Sequence, residues 1–185
     1  MIKMNAAQLR NFKSERDKKN QKDEKDQIQR KPIYIILDNV LDTYNIGSIF
    51  RLADAVLASK VIITGQAEVP PNTRIKKASI NTTEIVPWEY KTSAEEAIRE
   101  IREIGGIRVV GVEQAQGSIP YTKAKYKYPL AVVVGNESNG ISKEALELCD
   151  QIVELPMFGI NISLNVMVSL GIVLYKAIEQ NDKTL

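Results

Sequence analysis

A chain of 185 residues with no histidine and one cysteine is denied most of the usual catalytic apparatus. Ser-His-Asp and Cys-His triads, His-ligated zinc and a His general base are all impossible. A structural zinc or iron–sulfur site is implausible on the same count, so no metal is expected. Cys149, in the apolar rhythm of ALELC, reads as a small buried hydrophobe rather than a nucleophile, and alone it can form no intramolecular disulfide. Chemistry must run on Arg, Lys, Asp, Glu, Ser, Asn or Tyr, or arrive with a reactive cosubstrate. Three stretches hold such residues in suggestive surroundings. In GNESNG (135–140), Gly135 lacks a Cβ that would keep a ligand from the backbone, Asn136, Asn139 and Gly140 tolerate left-handed turns, and Glu137 could aim a charge outward. In ELPMFGINISLNV (154–166), Ser163 is a candidate helix N-cap whose free N–H groups would favour an anion, and Asn165 suits a polar contact better than packing. In LDTYNIGSIFRLADAVL (41–57), Ile46, Ile49, Phe50, Ala53, Val56 and Leu57 share one helical face, and Arg51 projects roughly 150° from its centre.

The elements that must position these residues alternate strand and helix from Lys31 onward. PIYIILDNV (32–40) is a short β-branched run of the buried parallel type. Further strands are expected at 60–64, in EIVPW (84–88), RVVGVE (108–113), PLAVVVG (129–135) and QIVEL (151–155), six in all. PPNTRIKKAS (70–79) offers a turn and short helix. Ser93 and Glu96 form a capping-box pattern before a helix that Gly105 and Gly106 close, and 163–180 is a long apolar helix for the core or a subunit interface. This alternation predicts an α/β fold with a mostly parallel sheet and helices on both faces. Ligands of such sheets bind outside the carboxyl ends of the strands. Both glycine-rich loops sit at such ends, which makes a small-molecule pocket the first expectation.

The apolar share of 44% and charged share of 26% are those of a globular protein, with no apolar run of membrane-spanning length and no signal-peptide core. The expected location is the cytoplasm, with no membrane partner. The net charge of +2 is unevenly spread: residues 1–31 hold ten Lys/Arg and five Asp/Glu, and the remainder is net acidic. Residues 1–31 therefore read as a basic, helical arm with little apolar face, appended to a single domain over 32–181.

Neither a dinucleotide-binding G-x-G-x-x-G after the first strand nor a P-loop is present. What the three stretches do resemble, taken together as NIGSIFRLADAV, VVVGNESNGIS and LPMFGINISLNVMVSLGI, is the three-motif pattern of the SpoU (TrmH-type) RNA ribose methyltransferases of the SPOUT superfamily. The resemblance spans about Pro32 to Ala177. It implies a C-terminal deep trefoil knot over about 130–177, S-adenosylmethionine held in the knot, and a homodimer packed through it. Physical reasoning alone would exclude a knot. Met167 and the Val56-Leu57 ending depart modestly from the family pattern.

Carried over by position, the resemblance assigns Asn45 and Arg51 to the target ribose and adds Glu137, Ser163 and Asn165 to the catalytic set. It assigns Gly135, Asn136, Leu155, Met157, Ser163 and Leu164 to the cosubstrate, with Gly135, Leu155 and Leu164 acting mainly through their backbone. The reaction it implies is methyl transfer to a ribose 2′-hydroxyl of tRNA or rRNA. tRNA is favoured, because the separate N-terminal RNA-binding domain of many rRNA members is not read in the sequence. A guanidinium with a pKa above 12 is a poor base, so Arg51 is expected to stabilise the developing alkoxide and anchor a phosphate. For RNA binding, Arg74, Lys76 and Lys77 form one basic cluster, and residues 121–128 alternate basic and aromatic side chains. The rivals are a non-catalytic RNA-binding dimer of the same fold and a base-methylating SPOUT enzyme.

Overall fold

The computed structural model describes residues 3–9 and 29–182. Most of the arm expected over 1–31 therefore lies outside the described residues. Of it, 6–9 form one helical turn, and the Leu9 carbonyl accepts from Asn81 Nδ2 at 3.3 Å.

The centre of the molecule is β1 (Lys31–Asp38), whose alternating side chains feed two separate cores. Ile33, Ile35 and Leu37 enter one and Ile36 the other, all fully buried. A strand buried on both faces must be nearly continuous in apolar residues, and PIYIIL is. Around it runs a seven-stranded, wholly parallel sheet of order β3-β2-β1-β6-β4-β7-β5. The other strands are β2 (Ala58–Thr64), β3 (Trp88–Lys91), β4 (Arg108–Val112), β5 (Ile119–Pro120), β6 (Leu130–Gly135) and β7 (Gln151–Glu154). On the first face lie α1 (Thr43–Ala55) and the last helix, α5 (Val166–Asn181), packed through Ile46, Ile49, Phe50, Leu170, Val173 and Leu174. Opposite them, α3 (Ala94–Glu103) and α4 (Lys143–Glu147) bring Ala97, Ile98, Ile101 and Ala145. A short helix, α2 (Thr73–Ser79), packs beside α1.

Three expectations need correction. Among the described residues there are seven strands rather than six, because a two-residue strand at Ile119–Pro120 is too short for any periodicity, and its proline is tolerable only at the sheet edge it occupies. The third strand starts at Trp88, not Glu84, because a 3₁₀ turn over Thr82–Glu84 takes up its first residues. Ser163 does not cap the last helix. Asn165 does, accepting from Met167 N at 3.0 Å and Val168 N at 3.4 Å, so the residue expected one turn inside the helix is its cap. At the head of α3, Ser93 Oγ accepts from Glu96 N at 3.1 Å, while the Glu96 carboxylate reaches Thr92 N at 2.9 Å, one residue further back than a capping box requires.

The connection from β1 leads to β2 on one side, and that from β6 leads past β4 to β7 on the other. The paired strands β1 and β6 thus form the switch point of the sheet, with Asp38 and Gly135 in register at their carboxyl ends.

Candidate active site

Loops leaving β1 and β6 are tied together at this switch point. Asn136 Nδ2 donates to the Asn39 carbonyl at 2.9 Å, while its Oδ1 accepts from Ser138 N and Asn139 N. Residues 136 and 140 exchange both backbone hydrogen bonds, at 3.0 and 2.9 Å, so the loop folds back on itself. A Cβ at Gly135 would stand 2.1 Å from the Gly140 carbonyl carbon, so the bare backbone expected there for a ligand is required first by the loop's own closure. Ser142 does not cap α4 with its side chain. Its hydroxyl and N–H both donate to Asp38 Oδ2 at 2.7 Å, anchoring the far end of the loop to β1.

Glu137 does not point freely into solvent. Its carboxylate accepts from Leu41 N at 3.3 Å, Asp42 N at 3.2 Å and Asn45 Nδ2 at 2.9 Å. Burial pushes the carboxyl upward, but the Asn45 and backbone hydrogen bonds outweigh it and hold the pKa below the ordinary value. Asn45, 93% buried in the first turn of α1, accepts at Oδ1 from Asn165 Nδ2 at 3.0 Å. A one-way chain of donors therefore runs from Asn165 through Asn45 to Glu137, joining the cap of α5, the start of α1 and the loop after β6.

Beside this chain opens a cleft of ≈ 680 Å³. The six residues assigned to the cosubstrate, Gly135, Asn136, Leu155, Met157, Ser163 and Leu164, all line it, as do Glu137 and Asn165. Its walls carry Glu113, Glu137 and Glu154 and no Lys or Arg. Among the described residues, 157–163 make no backbone–backbone hydrogen bond, which leaves peptide donors and acceptors for a ligand. This segment exposes Phe158, Ile160 and Ile162 almost completely.

Asn45 and Arg51 do not line the cleft. Asn45 is joined to it through Glu137 and Asn165. Arg51 is exposed on α1 and, among the described residues, its side chain makes no hydrogen bond or ion pair; both ends of the Asn45 amide are engaged elsewhere, so Asn45 does not orient it. Glu113 and Gln114 line the cleft without having been singled out. The Glu113 carboxylate accepts from Ile141 N at 2.9 Å and sits where a side chain on Gly140 (φ +68°) would go, and Gln114 Nε2 reaches the Ile162 carbonyl at 2.7 Å. An acid closing the strand RVVGVE, beside two loops already suspected, was the available signal.

The basic and aromatic alternation at 121–128 has another cause. Lys123, Lys125 and Lys127 are exposed, while Tyr126 is buried with its hydroxyl donating to the Tyr121 carbonyl at 2.8 Å, and Tyr128 is half-buried. It is an in–out alternation of an extended segment, so Tyr126 and Tyr128 are not base-stacking platforms. Burial pushes the Cys149 thiol up to about 12, and Sγ donates to the Ala145 carbonyl, a packing role. Among the described residues no group of three or more His, Cys, Asp or Glu is placed to hold a metal ion, and no helix is long and apolar enough to cross a membrane.

Comparison with known proteins gives a consistent picture. The model of the SpoU rRNA Methylase family matches residues 32–175. The 23S rRNA (guanosine-2′-O-)-methyltransferase RlmB of Ralstonia nicotianae is 35% identical over 157 residues, covering 85% of this chain and 62% of that protein. RlmB of Vibrio parahaemolyticus is 34% identical over 149 residues, covering 80% and 60%. The chain thus spans about three fifths of the length of these relatives. Among solved structures, the A. aeolicus TrmH/SpoU tRNA modifying enzyme superposes with a TM-score of 0.75 at 25% identity, covering 96% of this chain and 83% of its own. The SpoU methyltransferase AviRb from Streptomyces viridochromogenes, in complex with AdoMet, gives 0.75 at 29%, covering 85% and 62%.

Proposed function

The chain belongs to the SpoU rRNA methylase family, and from that membership we propose that it transfers a methyl group from S-adenosylmethionine to a ribose 2′-hydroxyl of RNA. The observation that carries this reading is the charge of the cleft. Three carboxylates and no basic side chain line it. Such a lining suits a ligand bearing a sulfonium and an ammonium and disfavours a nucleotide polyphosphate. S-Adenosylmethionine, when bound, supplies an activated methyl whose bond to sulfur breaks as the bond to the 2′-oxygen forms. The peptide groups of Met157, Asn161 and Ser163, which line the cleft without a backbone hydrogen-bond partner among the described residues, suit its adenine and carboxylate. Gly135, Asn136, Leu155, Met157, Ser163 and Leu164 form the walls.

What remains for the protein is to align the hydroxyl and ease the loss of its proton. Arg51, exposed outside the cleft and unpaired among the described residues, suits contact with RNA rather than with the cosubstrate. There it stabilises the developing alkoxide and holds the neighbouring phosphate. Asn45, Glu137 and Asn165 fix the start of α1 against the cleft, and Ser163 lines it. The names of the RlmB relatives reverse the preference for tRNA: rRNA is the substrate proposed first. Those names also favour ribose over base methylation and a catalyst over a binding protein.

The C-terminal knot, the homodimer, the division into an arm (1–31) and a domain (32–181), and a cytoplasmic location belong to the same proposal. Supporting the knot, the connection 113–129 holds the final segment at both ends, through Gln114 to Ile162 and through Ala124 and Tyr126 to Gln180 and Asn181. Supporting the dimer, Phe158, Ile160, Ile162, Leu164, Val168 and Tyr175 expose apolar surface along one run of chain. The test is incubation of the protein with methyl-labelled S-adenosylmethionine and unmodified 23S rRNA transcript or tRNA, followed by nucleoside analysis. Label in a 2′-O-methyl nucleoside of the rRNA is the expected result. Label in a base, or none in either RNA, overturns the reading.

A further inference from the structure

One wall of the cosubstrate cleft is the loop after β6, and another is the segment after β7 that brings Met157, Ile162 and Ser163 to it; β4 lies between those two strands in the sheet. We propose that Gln114, just past the end of β4, is a positioning residue for methyl transfer: its side chain holds the second wall in the arrangement that receives S-adenosylmethionine, and so sets the affinity for that cosubstrate. This rests on the methyltransferase reading and assigns to it a residue outside the three motif stretches.

The second wall has little else to hold it. Among the described residues, 157–163 make no backbone–backbone hydrogen bond, and the one side-chain hydrogen bond that reaches them runs from Gln114 Nε2 to the Ile162 carbonyl, at 2.7 Å. Nor does packing within the chain secure the middle of the segment, where Phe158, Ile160 and Ile162 are exposed. A segment free to wander gives up conformational freedom when a ligand orders it, and apparent affinity falls with the fraction of molecules in the receptive arrangement. A tie already made before the ligand arrives keeps that fraction high.

Gln114 itself springs from a fixed base. Glu113 N donates to the Val153 carbonyl at 3.0 Å, which extends the β4–β7 pairing by one residue, and Glu113 Oε1 accepts from Gln114 N at 2.9 Å. The other carboxylate oxygen accepts from Ile141 N at 2.9 Å, at the far end of the loop after β6. Two consecutive residues are thus bonded to both walls, Glu113 to the first and Gln114 to the second. Of the two, Gln114 is the one whose part can be isolated. Glu113 adds a negative charge to the cleft as well as a tie, whereas the Gln114 amide is neutral and acts through geometry alone.

The experiment measures binding of S-adenosylmethionine and S-adenosylhomocysteine by calorimetry to wild type, Gln114→Met and Gln114→Glu, with kcat on unmodified 23S rRNA transcript at saturating cosubstrate and the thermal midpoint of each unliganded protein. Gln114 is exposed, so both variants fold. Gln114→Met keeps the length and neutrality and removes the donor. It is expected to weaken both ligands by the same factor, roughly 3- to 10-fold, because the wall meets parts that the two share, while kcat and the unliganded midpoint stay unchanged. Gln114→Glu sets charge against position: an added carboxylate would tighten a cationic ligand, and loss of the donor weakens it, so weaker binding of S-adenosylmethionine is the expected result. Undiminished affinity in Gln114→Met overturns the assignment. So does a loss of affinity that comes with a lower unliganded midpoint or a proportionate fall in kcat, either of which would make the residue a general support of the fold. Tighter binding by Gln114→Glu also overturns it. Failure of the wild type to bind S-adenosylmethionine overturns the methyltransferase reading and this inference together.

Discussion

Asn45 shows why single residues in this site resist substitution. It donates to Glu137 and accepts from Asn165, and only an amide of this length can do both. That Asn45 has a polar task was readable from its type, but not which groups it bonds, because they lie 92 and 120 residues away. Arg51 is the opposite case. Its exposure followed from helical geometry alone, and Arg51→Ala is expected to abolish methyl transfer while the thermal unfolding midpoint stays within a degree or two, since an exposed side chain with no partner among the described residues contributes little to stability. Full turnover by this variant would remove Arg51 from the reaction. For Glu137 the linkage runs in a definite direction. A carboxyl whose folded pKa is depressed adds stability above its unfolded pKa, and loses that contribution as pH falls through the folded value. Glu137→Gln should therefore destabilise by about 0.5–1 kcal/mol at pH 7, the figure being small because the residue is largely exposed. Urea unfolding of both proteins from pH 7 to 3 should show that difference vanish at the acid end.

Among the elements, α1 is the most constrained. Its NIGSIF stretch puts Gly47 where α2 crosses, and a Cβ there would lie 2.5 Å from Ala78 Cβ and 2.7 Å from the Ile75 carbonyl oxygen. Gly47→Ala gains about 1 kcal/mol in helix propensity but forces α2 outward at an overpacking cost of about 1–3 kcal/mol. The expected outcome is a net loss of about 1 kcal/mol in denaturant unfolding, together with weakened RNA binding as Arg74, Lys76 and Lys77 shift. Unchanged stability would mean that α2 yields freely. Helix and strand identity was legible wherever periodicity ran for a full element, as in α1, α3 and β6. It failed at Ile119–Pro120 and at the head of α5. There, two-residue pairing and a side-chain cap are decided by tertiary neighbours rather than by local pattern.

At the scale of the whole molecule, the exposed apolar run from Phe158 to Tyr175 needs a cover. Ile160→Glu with Tyr175→Glu is expected to turn a dimer into a folded monomer in light scattering with unaltered circular dichroism. A wild type that is already monomeric refutes the dimer. The α/β architecture could be read from alternation, because a βαβ chain has few ways to bury its strands. The partnership of remote loops could not, since nothing local in GNESNG announces Glu113 or Leu41.

The sheet order also dictates a sequence of events as the chain is made. β1, β2 and β3 are neighbours in space as well as in sequence, but the second edge of β1 is paired only by β6. From the moment β1 leaves the ribosome until Leu130–Gly135 follows it, the central strand offers an unsatisfied ladder of N–H and C=O groups, flanked by bare isoleucines, to any passing strand. The nascent chain is thus most exposed to mispairing between the synthesis of β1 and that of β6, and the cosubstrate cleft, which needs the loops after both strands and the head of α5, forms only after that interval.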